Sequence, residues 1–132
     1  MELETPYIHL RVKDNILIGT YKENLHIDLV IAKEIVRTRL SFTGGRKLPA
    51  LILSEGVISM DKPARDYLAS DEAIKDLLAA AIFVNSSFSS LLGNFFLKVN
   101  KTKMPVRVFH NISRAERWLA KYVELKINCN HG

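Results

Sequence analysis

PALILSEGVISMDKPARDYLA, residues Pro49 to Ala69, is the stretch on which the fold turns. Ala50 to Leu53 lacks polar alternation, as a strand covered on both faces does. Ser54-Glu55-Gly56 turns the chain, Val57 to Met60 follows, and a helix begins at Asp61. Asp61 has the side chain and the position of an N-cap. Pro63 fits an early helical turn, where its missing N–H costs nothing. The helix continues through Ala64 to Ala69.

Working toward the N-terminus, Tyr7 to Val12 alternates in the strand manner, and Ile16 to Thr20 follows after Lys13-Asp14-Asn15. Asp14-Asn15 tolerates positive φ, so the spacing predicts a tight hairpin. From Asp28 to about Phe42 a helix fits, capped by Asp28 and ended by Gly44-Gly45. Leu29, Ala32, Val36 and Leu40 form its expected stripe, which leaves Ile31 and Ile35 as an apolar surplus outside it. Arg37, Arg39 and Arg46 fall near the negative end of its dipole.

Toward the C-terminus, Ser70-Asp71-Glu72 opens a second short helix that is expected to end near Asp76. Leu77 to Val84 could extend it by composition, yet its place before Asn85-Ser86-Ser87 favours a buried strand from about Ala79. Ser86 starts a helix with Phe88, Leu91, Leu92, Phe95 and Val99 on one stripe. Pro105 opens the last strand, Val106 to Phe109. Ser113 and Glu116 have capping-box spacing, and the final helix buries Ala115, Trp118, Leu119 and Tyr122. The expected architecture is an α/β sandwich with a mixed five-stranded sheet, an N-terminal hairpin at its antiparallel edge and about four helices. Residues 1–123 are expected to form a single domain, and residues 124–132 a disordered tail.

At 132 residues the chain supports one domain with a real core. Its 48% hydrophobic and 25% charged residues are ordinary for a soluble protein. No apolar run is long enough to span a bilayer, and the N-terminus lacks a signal peptide's basic and apolar regions. The single cysteine, Cys129, permits no disulfide framework, so a reduced, cytoplasmic setting is expected. The formal charge of +5 invites nucleic acid. Yet the basic residues from Lys98 to Lys121 spread over a helix end, a strand and another helix without a reader motif, which argues against it.

With this order established, the joint Met60-Asp61-Lys62-Pro63-Ala64 resembles that of SpoIIAA-like (STAS) anti-sigma-factor antagonists. There it reads roughly Met-Asp-Ser-Ser-Gly and carries a phosphorylated serine. Ala64 to Ser70, Gly93-Asn94-Phe95-Phe96-Leu97, Asn100-Lys101 and Pro105 to Phe109 ahead of Trp118-Leu119 extend the likeness to a bacterial branch of the SpoIIAA-like, STAS/SEC14-type superfamily. The resemblance implies a SpoIIAA-like fold. It also implies that the phosphorylation switch is missing, because Lys62 and Pro63 fill the two hydroxyl positions.

The candidate sites follow. Lys62 and Arg65, at the exposed helix start, are expected partner contacts. Gly93, Phe96 and Leu97 lie away from the buried stripe of their helix and are the expected contacts of a homodimer. Asn85, Ser86 and Ser87 form a hydroxyl-rich helix start suited to an anion or the polar head of a ligand. The SEC14-type likeness implies a small apolar ligand between sheet and helix, with Phe83, Phe88, Phe95 and Phe96 as its walls. His9, His26, His110 and His131 do not cluster at metal-ligand spacing, and no nucleophile-elbow pattern occurs. No catalytic residues, metal or cofactor are expected. The expectation is a non-catalytic module that binds itself and an unidentified protein partner; a SEC14-like sensor of a small apolar or anionic ligand is the alternative.

Overall fold

The structure is a computed structural model, in which residues 2–84 and 104–131 are described, the side chains as far as residue 123. In chain order the elements are β1 (Glu2–Glu4), β2 (Ile8–Lys13), β3 (Ile16–Tyr21), β4 (Leu25–Ile27), α1 (Leu29–Thr43), β5 (Leu48–Leu53), β6 (Val57–Met60), α2 (Lys62–Leu68), α3 (Asp71–Ile74), β7 (Leu77–Phe83), β8 (Val106–Phe109) and α4 (Ile112–His131). The order in the main sheet is β1-β2-β3-β5-β7-β8. β1, β2 and β3 run antiparallel in turn, and β3, β5, β7 and β8 are mutually parallel.

The hairpin forms as its turn residues dictate. Asp14 and Asn15 both take left-handed backbone, at φ 54° and 62°, which matches the twist of the strands they join. β5 occupies the sheet's interior between β3 and β7, and Leu48, Pro49, Ala50 and Leu51 are buried. The register slips between Leu48 and Pro49, where proline has no N–H for the ladder.

Strand alternation divides the core into two layers. Leu17 packs with Ile8, Leu10, Ala32, Ile35 and Ala64 beneath α1 and α2. Ile16 and Ile18 point the other way, to Ala79, Ala81, Phe109 and the α4 residues Ala115 and Leu119. At the edge of this second layer Trp118 packs against Phe109 and Tyr122, with ring centroids 5.7 and 5.0 Å apart.

Several expectations change in detail. The main sheet has six strands, because Glu2–Glu4 pairs with β2 at an edge that composition did not mark. Val57 to Met60 is a strand, but it pairs in parallel with β4 in a separate two-stranded ladder. On α1 the buried face is Ala32, Ile35, Val36, Arg39 and Thr43. Ile35 is therefore core, and Ile31 packs partly against it. The face is rotated because α1 touches α2 as well as the sheet. The final helix is capped by Asn111, whose Oδ1 accepts from Arg114 N at 3.0 Å, so Ser113 lies within the helix. Its backbone runs past Val123 to His131, since helical backbone bonding does not need the apolar stripe to continue.

Candidate functional site

The β4–β6 ladder brings two helix starts together. β4 leads through Asp28 into α1, and β6 leads through Asp61 into α2. Asp28 Oδ1 accepts from Ile31 N at 2.8 Å, and Asp61 Oδ1 accepts from Ala64 N at 3.0 Å. Asp61 N donates to Ile27 O at 3.1 Å, which ties the second start to the strand before the first. Each aspartate satisfies an amide that the helix itself cannot. Gly56 sets the approach of β6, because a Cβ there would lie 2.2 Å from Lys22 O.

Around this joint Asp61, Lys62 and Pro63 are exposed. Lys62 Nζ donates to Asp66 Oδ2 at 2.8 Å, one helical turn on. Arg65 turns back instead. Its NH1 donates to Met60 O at 2.5 Å, and its buried Nε has no partner among the described residues. Of the two expected contacts, Lys62 thus faces solvent, and Arg65 fastens the helix to the strand that precedes it. Val30, 76% exposed, and Ile58, 50% exposed, add apolar surface on α1 and β6.

The hydroxyls near the joint differ in access. Ser54 is 3% exposed and its Oγ donates to Phe83 O at 3.0 Å. Ser59 is half-buried and shares a 2.6 Å hydrogen bond with His26 Nδ1 across the ladder. His9 Nε2 meets Glu2 Oε1 at 2.6 Å, and His110 Nδ1 donates to Val84 O at 3.2 Å. These three histidines serve three separate places. Among the described residues no cluster of His, Cys, Asp or Glu is arranged to hold a metal ion, and no helix is long and apolar enough to cross a membrane. Asn85, Ser86, Ser87, Gly93, Phe96 and Leu97 lie outside the described residues, as do Phe88 and Phe95.

A cavity of about 110 Å³ lies on the α1–α2 side of the sheet. Leu10, Leu17, Ile35, Ile52, Leu77, Ile82 and Val106 contribute apolar surface, and among the described residues Tyr21, Arg39 and Ser54 are its polar side chains. Phe83 is not among its walls. Ile82 lines the cavity, and its strand neighbour must point to the opposite face. Arg39 is the residue that sequence reasoning missed. Only 7% exposed, it donates from NH1 to Lys75 O and from NH2 to Ala73 O, both at 2.8 Å. The signal was its spacing, three residues after Val36 and four after Ile35, on the buried face of α1.

Strand order, helix layers and the capped α2 start define a SpoIIAA-like, STAS-type α/β fold. A solved uncharacterized protein of the DUF3478 family with a SpoIIAA-like fold, from Shewanella loihica PV-4, superimposes with a TM-score of 0.57. It shares 16% identity over 89% of this chain and 98% of that one. The chain belongs to the family described as Domain of unknown function (DUF7793), whose model matches residues 10–123. No curated protein matches the sequence.

Proposed function

We propose that this domain is a non-catalytic STAS-like interaction module of the cytoplasm, which docks a protein partner at the α2 start without a phosphorylation switch. One observation carries the reading: Asp61, Lys62 and Pro63 stand exposed at a capped helix start that offers no hydroxyl. In the antagonists a phosphate at this joint breaks the complex by adding nearly two negative charges. Here neither Lys62 nor Pro63 accepts one, and Pro63 stiffens the helix entry. The surface binds constitutively, with Lys62, Ile58 and Val30 as contacts and Arg65 as the strut behind them.

Capture from the native host with wild type and with Ile58→Asp/Lys62→Glu in parallel tests the docking surface. The partner is expected on the wild type and lost from the double variant, whose circular dichroism remains native; equal capture by both overturns the assignment. Incubation with an anti-sigma-type kinase is expected to leave residues 61–63 unmodified, and a phosphate found on Ser59 in vivo would restore a displaced switch. The module acts as a homodimer through Gly93, Phe96 and Leu97, with Leu97→Glu expected to weaken it. A monomer in sedimentation at micromolar concentration refutes that part alone.

A further inference from the structure

The cavity under α1 has a chemistry of its own, apart from the α2 docking surface. Among the described residues its walls are apolar except for Tyr21, Arg39 and Ser54. The Ser54 hydroxyl is committed to Phe83 O. A guanidinium carries five N–H donors, and the two bonds from Arg39 go to neutral backbone carbonyls. Among the described residues no carboxylate forms an ion pair with it, although Asp76 acts on it electrostatically. A buried cation with no described carboxylate at ion-pair distance lacks the close counter-charge that a low-dielectric site favours. Tyr21 interacts electrostatically with Arg39, and burial pushes its phenol up to about 12, so it remains a donor at neutral pH. Gly19, where an added Cβ would lie 3.2 Å from Ile8 Cδ1, also lines the cavity.

We propose that this cavity binds a small apolar carboxylate, with the carboxylate on Arg39 and Tyr21 and the hydrocarbon against Leu17, Ile52, Ile82 and Val106. A guanidinium and a phenol in the wall of one apolar chamber match a planar anion with a hydrocarbon tail. The size follows from the volume. An apolar cavity of about 150 Å³ accepts benzene, so this smaller one of about 110 Å³ takes a ligand no larger than benzene, a carboxylate of about three or four carbons. Met60 and Met104 in the wall are the side chains most able to adjust. A neutral ligand of equal length fills the same space and leaves the cation uncompensated, so charge is the discriminating property.

Methyl NMR of the whole chain at neutral pH, titrated with butyrate and separately with 1-butanol, tests the site. Saturable shifts at Leu17, Ile52, Ile82 and Val106 are expected, with butyrate bound at least about tenfold more tightly than the alcohol. Tyr21→Phe should weaken butyrate several-fold and leave 1-butanol unchanged, and Ala80→Leu, which fills the cavity, should abolish both. The proposal is overturned by no saturable shift up to about 10 mM, by equal affinity for acid and alcohol, or by shifts that survive Ala80→Leu. Should either variant fail to fold, the wild-type comparison of acid with alcohol decides alone.

Discussion

Replacing Gly56 with alanine tests how the α2 start is held in place. The new Cβ would lie 2.2 Å from Lys22 O, 2.6 Å from Lys22 C and 2.9 Å from Tyr21 O. These are backbone atoms at the end of β3, so no flexible side chain can move aside. The turn must lift, and with it the bond from Leu25 N to Gly56 O at 2.9 Å, which begins the β4–β6 ladder. Overpacking costs about 1–3 kcal/mol, and the lost hydrogen bond about 1 more, so we expect a loss of about 3 kcal/mol. With about 2.1 cal/mol/K of unfolding entropy per residue, 132 residues give about 0.28 kcal/mol/K, a fall in Tm of about 11 °C. Gly44→Ala is the control. Gly44 has nothing within 4 Å of an added Cβ and only the left-handed φ of 58° to oppose it, a cost of about 1–2 kcal/mol. Scanning calorimetry of both variants beside wild type measures the difference. If Gly56→Ala melts within about 4 °C of wild type, or no lower than Gly44→Ala, the turn does not bear on Lys22 and the reasoning fails.

The other predictions concern the site and the core. Asp61→Ala should cost about 1 kcal/mol, near 4 °C in Tm, while Asp61→Ser keeps the cap and stays within about 1 °C of wild type by calorimetry. The folded protein holds the Tyr21 proton to about pH 12 against an ordinary value of 10.0. The unfolded chain sheds that proton first, so the associated stability is whole below pH 10 and lost between about pH 10 and 12, on the order of 2 kcal/mol. Urea unfolding across that window should show the decline, and Tyr21→Phe should remove it. Leu119, fully buried against the sheet, should cost about 2–5 kcal/mol as alanine in the same urea assay.

Features that depend on neighbours along the chain could be read without the fold. Asp14-Asn15 specified its turn because two residues that tolerate positive φ suffice to close a hairpin. Asp28, Asp61 and Ser70 specified helix starts because a cap needs only an amide three residues on. An unbroken apolar run likewise marked the central strand Ala50 to Leu53, and helical spacing the buried face of the last helix. At the candidate site, the exposed Lys62 and the missing hydroxyls could be read from the joint alone. Tertiary structure decided what depends on partners far away in sequence. Glu2–Glu4 and Leu25–Ile27 are three-residue strands, too short to show a period, and they exist because β2 and β6 supply their hydrogen bonds. Ile35 went inward and Arg65 turned back because α1 packs on α2 as well as the sheet, and because Met60 O lies within reach. Arg39 read as a charge at a helix end until the carbonyls of Ala73 and Lys75, thirty-four and thirty-six residues on, turned it into the cavity's buried cation. A local pattern can state a side chain's chemistry, but only packing chooses the face on which that chemistry is used.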